Sequence, residues 1–188
     1  MYWFTSDYHF GHENIIKYCK RPFKSIYHMN SSIIRNHNER VKPNDTVFFL
    51  GDFALKDGVE CLEQLNGNFV FIKGNHDGKN GIHTVIHSCI IRFEDKLIYL
   101  THDPADAEDF VDMNFVGHIH EKWRFSTTKK GTPIINVGVD VWDFHPVSFE
   151  EIIKELKAWQ RGDINKRCKS RGVIRRFYTK KEKKLLGC

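Results

Sequence analysis

Residues able to hold a metal ion or move a proton recur in five blocks: Asp7-Tyr8-His9, Gly51-Asp52, Gly74-Asn75-His76-Asp77, His102-Asp103 and Gly117-His118-Ile119-His120. Carboxylate, imidazole and amide oxygen suit divalent ions such as Mn, Fe or Zn better than Ca, and no thiolate stands in any block. His118 and His120 bracket one residue. In an extended segment both would point to one face; in a loop they can clamp two ions. Together the blocks supply enough oxygen and nitrogen for a two-metal site. Such a site holds its ions ~3.5–4 Å apart and suits in-line displacement at phosphorus. A single loop histidine is usually structural, but the joint pattern of His9, His76, His102, His118 and His120 argues for function.

Each block follows a short apolar run, which is where open α/β sheets place ligands. Tyr2–Ser6, Thr46–Leu50 and Phe69–Ile72 read as strands, the last two as buried ones. Cys89–Phe93 and Leu97–Leu100 flank Glu94-Asp95-Lys96, a hairpin turn. Phe115–Val116 and Ile134–Val137 add two more strands. Ile26, Met29, Ile33, Ile34 and Val41 mark one helical face, and Cys61, Leu62 and Leu65 another. Ser148 and Glu151 have capping-box spacing, and Ile152, Ile153, Leu156 and Trp159 form the apolar stripe of a helix over 148–161. The class is mixed α/β.

Other polar residues carry paired readings. His12 and Asn14 follow the first block and open a helix; His12 could contact a substrate phosphate, and Asn14 could do so or cap the helix. Arg21 could reach a phosphate bidentately or be a surface charge beside a turn. His83 and His87 share i,i+4 spacing but have no third ligand nearby, so they are not read as a metal site. Asp103 and Asp140 are read as hydrogen-bond anchors, and Trp142 and Phe144 as packing residues.

At 188 residues, 40% hydrophobic and 28% charged, the chain is globular and sized for one domain. No apolar run approaches the ~18 residues of a membrane span. The five cysteines are odd in number and form no CxxC pair, which fits a reducing compartment, and Met1–Ser6 is too short and lacks the basic flank expected of a signal peptide. A cytoplasmic protein without a membrane partner is expected; oligomeric state is not legible. The net charge of +5 is unevenly spread. Residues 1–150 carry 16 Lys+Arg against 20 Asp+Glu, a net of −4, whereas residues 151–188 carry 13 against 4, a net of +9. The expected organisation is a domain over 1–161 and a basic appendage over 162–188. That appendage, with Phe177 and Tyr178 available for stacking, is either a solvated end or a nucleic-acid contact.

The order D-x-H, G-D, G-N-H-D, H, G-H-x-H, as it stands from Asp7 to His120, resembles the five blocks of the calcineurin-like metallophosphoesterases. The likeness to a small, capless subgroup runs from Ser6-Asp7-Tyr8-His9-Phe10-Gly11-His12 to Ile135-Asn136-Val137-Gly138-Val139-Asp140. Phe53-Ala54-Leu55 and Asp103 depart from the common pattern without removing a ligand. The resemblance implies a four-layer α-β-β-α sandwich of two mixed sheets with a dinuclear metal site at strand ends. It implies that Asp7, His9 and His120 hold one ion, Asn75, His102 and His118 a second, and that Asp52 bridges them. His76 would be the general acid and Asp77 would orient it. The implied cofactors are two divalent ions, Mn first, with Fe, Zn, Ni or Co as alternatives. The implied reaction is hydrolysis of a phosphodiester by a metal-bridging hydroxide. A phosphomonoesterase or protein phosphatase, or a catalytically silent metal-binding scaffold, is the alternative. Two divalent ions against Asp7, Asp52 and a hydroxide leave a charge of about +1, which favours an anionic phosphoester, free or within a nucleotide or nucleic acid.

Overall fold

The computed structural model describes residues 1–78 and 80–163. Nearly all of the basic appendage expected over 162–188 lies outside the described residues, as do Cys168 and Cys188. The element order is β1 (Tyr2–Thr5), α1 (Glu13–Tyr18), α2 (Ile26–Arg40), β2 (Thr46–Leu50), α3 (Gly58–Leu62), β3 (Asn68–Ile72), β4 (Ser88–Phe93), β5 (Lys96–Thr101), β6 (Met113–Val116), β7 (Phe125–Thr127), β8 (Pro133–Asn136), β9 (Val147–Ser148) and α4 (Phe149–Arg161), with single 3-10 turns at Pro104–Asp106 and Val139–Val141. The strands form two mixed sheets, one in the order β3-β2-β1-β9 and one in the order β4-β5-β6-β8-β7. In the first, β1 and β3 run parallel to β2 and only β9 is antiparallel.

Side-chain alternation explains how the sheets stack. Phe4 of β1 and Phe48 and Leu50 of β2 point between the sheets, where they meet Ile98, Leu100, Phe115 and Ile135 of the second sheet. Phe4 meets Phe115 edge-on at 4.8 Å between ring centroids. The opposite face of the first sheet carries Phe49, which packs with Ile15 of α1, Met29 and Ile33 of α2 and Cys61 of α3. Segment 104–112 crosses the outer face of the second sheet, where the Asn114 side chain exchanges hydrogen bonds with the Glu108 backbone.

The helix starting at Ser148 forms as its sequence predicts. Ser148 accepts from the Glu151 N–H while the Glu151 carboxylate accepts from the Ser148 N–H, and the helix ends at Gly162 in left-handed conformation. Its Ile152 and Leu156 join the inter-sheet core. The helical spacing of His83 and His87 is not realised: the stretch from Gly81 to His87 contains no helix. Lys73, directly after β3, donates its backbone N–H to the Ile86 carbonyl at 2.7 Å, which ties the stretch to the end of that strand. No helix among the described residues is long and apolar enough to cross a membrane.

Candidate metal centre

The first three parallel strands end side by side, so their loops share one edge. Ladder-like bonds continue past the strands: the Asp7 N–H donates to Gly51 O and the His9 N–H to Asp52 O, both at 3.0 Å. These bonds hold a backbone that ordinary residues avoid. Asp7, His9, Asp52, His118 and His120 all have φ between +50° and +70°. Left-handed conformation costs a non-glycine residue ~1–2 kcal/mol, and it clusters where a structure fixes functional side chains. Two glycines permit the close approach. Gly51 has φ +88°, and a Cβ there would lie 2.5 Å from the His102 ring. A Cβ on Gly117 would lie 2.8 Å from the Asp7 carboxylate.

The five blocks come together as two adjoining groups. Asp7, His9 and His120 present ligand atoms that all lie within 4.8 Å of one another, and so do Asp52, His102 and His118. Asn75 joins the second group, its Oδ1 lying 3.1 Å from His102 Nε2 and 3.0 Å from His118 Nδ1. Asp52 stands between the groups: its Oδ2 is 3.5 Å from His9 Nε2 and 3.4 Å from His102 Nε2. Its other oxygen accepts the His76 N–H at 2.8 Å. The His118 N–H donates to the Asp7 carboxylate, so residues 111 apart in sequence are joined at the centre.

Burial and charge set the protonation of these groups. Burial opposes ionisation of Asp52, but the bond and charge of His102 and the His76 N–H hold its carboxyl well below the usual range. Asp7 is pushed up by burial, partly offset by His120 and His102. Burial and the nearby Arg21 hold His9 neutral, its imidazole well below the usual range. Burial pulls His102 down, yet Asp52 and Asp7 raise it to about 9.

His9 supplies the test of whether a metal fits. Its side chain is 1% exposed, and neither ring nitrogen has a hydrogen-bond partner. A buried polar atom without a partner costs ~1–3 kcal/mol. A neutral imidazole aimed between two carboxylates is the state a divalent cation requires. The donor set of carboxylates, imidazoles and one amide matches such an ion.

Three of the sequence readings are corrected. Arg21 does not reach outward to substrate. Its side chain is fully buried, and its donors go to Asp140, the Asp7 and Tyr8 carbonyls and Met29 Sδ. Asp77 does not orient His76. Its carboxylate accepts the N–H groups of Asp52, Phe53 and Gly74 and the Asn80 amide at 2.8–2.9 Å, so it shapes the loop that carries Asp52. His76 itself is exposed at the rim, its ring 5.4 Å from that of His9 and 6.0 Å from that of His12. Asn14 does not cap α1; His12 occupies the cap position, without a side-chain bond to the helix. Asp140 is a hydrogen-bond anchor as expected, with Arg21 and His120 as partners, and Asp103 accepts from the Ala105 N–H. A cavity of about 320 Å³ opens beside the second group, lined by Asn75, His102 and His118 together with Lys73, His87 and Asp103.

Comparison with known proteins bears on the family and the fold. The calcineurin-like phosphoesterase family model matches residues 2–175. An uncharacterized protein of Methanocaldococcus jannaschii is similar, at 39% identity over 163 residues, which are 81% of this chain and 89% of that protein. Among solved structures, a protein of unknown function from Aquifex aeolicus is similar at a TM-score of 0.66 and 29% identity, covering 82% of this chain and 98% of that one. With the family model spanning nearly the whole chain, the protein belongs to the calcineurin-like phosphoesterase family.

Proposed function

We propose that the protein is a metal-dependent phosphoesterase that acts on phosphodiesters. The observation that carries this reading is the pair of ligand groups on either side of the Asp52 carboxylate, one of which contains the unpartnered buried imidazole of His9. Asp7, His9 and His120 are proposed to hold one divalent ion and Asn75, His102 and His118 the other, with Asp52 shared. Mn²⁺ is the first choice among ions that this donor set accepts. When bound, such ions acidify water and neutralise charge building on phosphoryl oxygens.

The chain's own residues supply the rest. His76 stands exposed beside the first group, where its imidazolium can protonate the departing alkoxide. Asp77 fixes the Asp52 loop through three backbone N–H groups, which holds the shared carboxylate still during the reaction. His12 shares the rim with His76 and is proposed to contact a phosphate oxygen. The exposure of Asn75 and His76 leaves room for groups on both sides of a phosphate, which favours a diester over an enclosed monoester. The substrate is proposed to be a nucleotide or nucleic-acid phosphodiester, held in part by the basic residues beyond position 161, in a cytoplasmic setting.

Turnover of bis-p-nitrophenyl phosphate and of p-nitrophenyl phosphate by the Mn²⁺-loaded protein tests the reading. Faster hydrolysis of the diester is expected. Equal or faster hydrolysis of the monoester rejects the diesterase assignment in favour of a phosphomonoesterase. No hydrolysis of either by protein that binds Mn²⁺ rejects the enzyme and leaves a metal-binding scaffold.

A further inference from the structure

Arg21 and Asp140 are 119 residues apart in sequence, yet they meet in a two-point pair: Nε donates to Oδ1 and a terminal NH2 group to Oδ2, both at 2.8 Å. Their side chains are 0% and 2% exposed. The same guanidinium donates to the Asp7 carbonyl at 2.6 Å and to the Tyr8 carbonyl at 3.0 Å. It therefore grips the backbone of the first block, where Asp7 and His9 hold left-handed φ. On its far side, Asp140 lies 3.1 Å from His120 Nδ1. The chain reaches Asp140 through Gly138, which bridges to Ser6, and Val139, whose N–H donates to Ser6 O at 3.2 Å. The register beside β1 thus puts Asp140 next to the first block.

We propose that Arg21 and Asp140 are positioning residues that tie His120 to the Asp7–His9 loop and fix which ring nitrogen of His120 is offered to a metal. This rests on the ligand assignment proposed above. An ionised carboxylate only accepts, so Nδ1 of His120 must carry the hydrogen. Only Nε2 of the ring is then left to take a metal. A carboxylate behind a ligating histidine fixes tautomer and orientation in this way. Arg21 completes the device because its fork holds both Asp140 oxygens, which a lysine cannot do. Cys19, His120 and Asp140 also lie within 4.8 Å of one another. The guanidinium already occupies both oxygens of Asp140 and opposes a cation there, so that group is part of the positioning device and not a third metal site.

Two measurements on the full chain test the proposal, and neither uses turnover. The first is nitrogen-15 NMR of histidine-labelled wild type loaded with diamagnetic Zn²⁺. It should show a protonated Nδ1 and a zinc-shifted Nε2 at His120; coordination through Nδ1 overturns the proposal. The second is equilibrium binding of Mn²⁺ to wild type, Asp140→Asn and Arg21→Lys. Each variant should lose ~10–100-fold in affinity for one ion and keep the other within about twofold. An equal loss at both ions, or none, overturns it. Should Asp140→Asn fail to fold, the wild-type spectrum and the Arg21→Lys titration still decide. Wild type that behaves as described yet hydrolyses no phosphoester overturns the proposed function and leaves the positioning pair standing.

Discussion

His76 and His37 show how much the surroundings of one imidazole decide. His76 sits in solvent beside the ligand groups, so its proposed work is proton delivery. His76→Ala should lower turnover of an alkyl phosphodiester ~10²–10⁴-fold, but much less for a p-nitrophenyl ester, whose leaving group needs no proton. Its bound metal, read by elemental analysis, should match wild type; a loss of metal would make His76 a ligand instead. His37 is buried in α2. Its ring accepts the Tyr8 hydroxyl and donates to Asn66 O, both at 2.8 Å, and burial lowers it to about 4 despite the Asn66 bond. The unfolded chain protonates near 6.5, before the folded one, so this contribution is intact above pH 6.5 and is lost as the pH falls from 6.5 towards 4. The loss is on the order of 3 kcal/mol. Urea midpoints of the metal-free protein across that range should fall more steeply for wild type than for His37→Gln; parallel curves would acquit His37. At this scale the sequence was readable where residue type carries the chemistry, as in the five blocks. It was not readable for Arg21 and Asp77, because their partners are chosen by the fold. Nothing local marks Arg21 as the mate of Asp140, or Asp77 as the acceptor for Asp52 and Phe53.

The elements with clear spelling are those with enough residues to show a period. β1 and β2 alternate between the inter-sheet core and the helical side, and α4 declares both its ends. Ser148→Ala removes one partner of the capping box and should cost ~1 kcal/mol, lowering the melting temperature by ~2–4 °C for a domain of this size. Calorimetry of the variant checks it, with turnover unchanged because the helix is remote from the ligand groups. An unaltered melting temperature would mean that packing of Ile152 and Leu156 alone holds the helix. β9 has two residues and β7 three, and such lengths carry no readable pattern. The short β9 matters nonetheless, since it places Val147 beside Phe4 and delivers α4 to the core.

For the whole molecule, the charge split is the property that composition alone conceals. The part with the ligands is acidic until cations bind, while the basic surplus lies in residues 151–188. If that surplus carries nucleic-acid binding, truncation after Arg161 should weaken binding to a single-stranded oligonucleotide and flatten its dependence on salt, while leaving p-nitrophenyl ester turnover as it was. Equal affinity with and without those residues would dismiss the idea. The span of the centre has a consequence for the order in which the molecule is made. Asp7 waits for a bond from His118, and the first ligand group is incomplete without His120. A chain still emerging from the ribosome therefore holds half a binding site for most of its synthesis. On the proposed ligand assignment, ion capture would be a late event and would act as a latch. Because the complete site exists only in the finished fold, each bound ion withdraws folded molecules from the unfolding equilibrium. On the proposed ligand assignment, metal supply should lengthen the life of the folded protein as well as serve the proposed reaction.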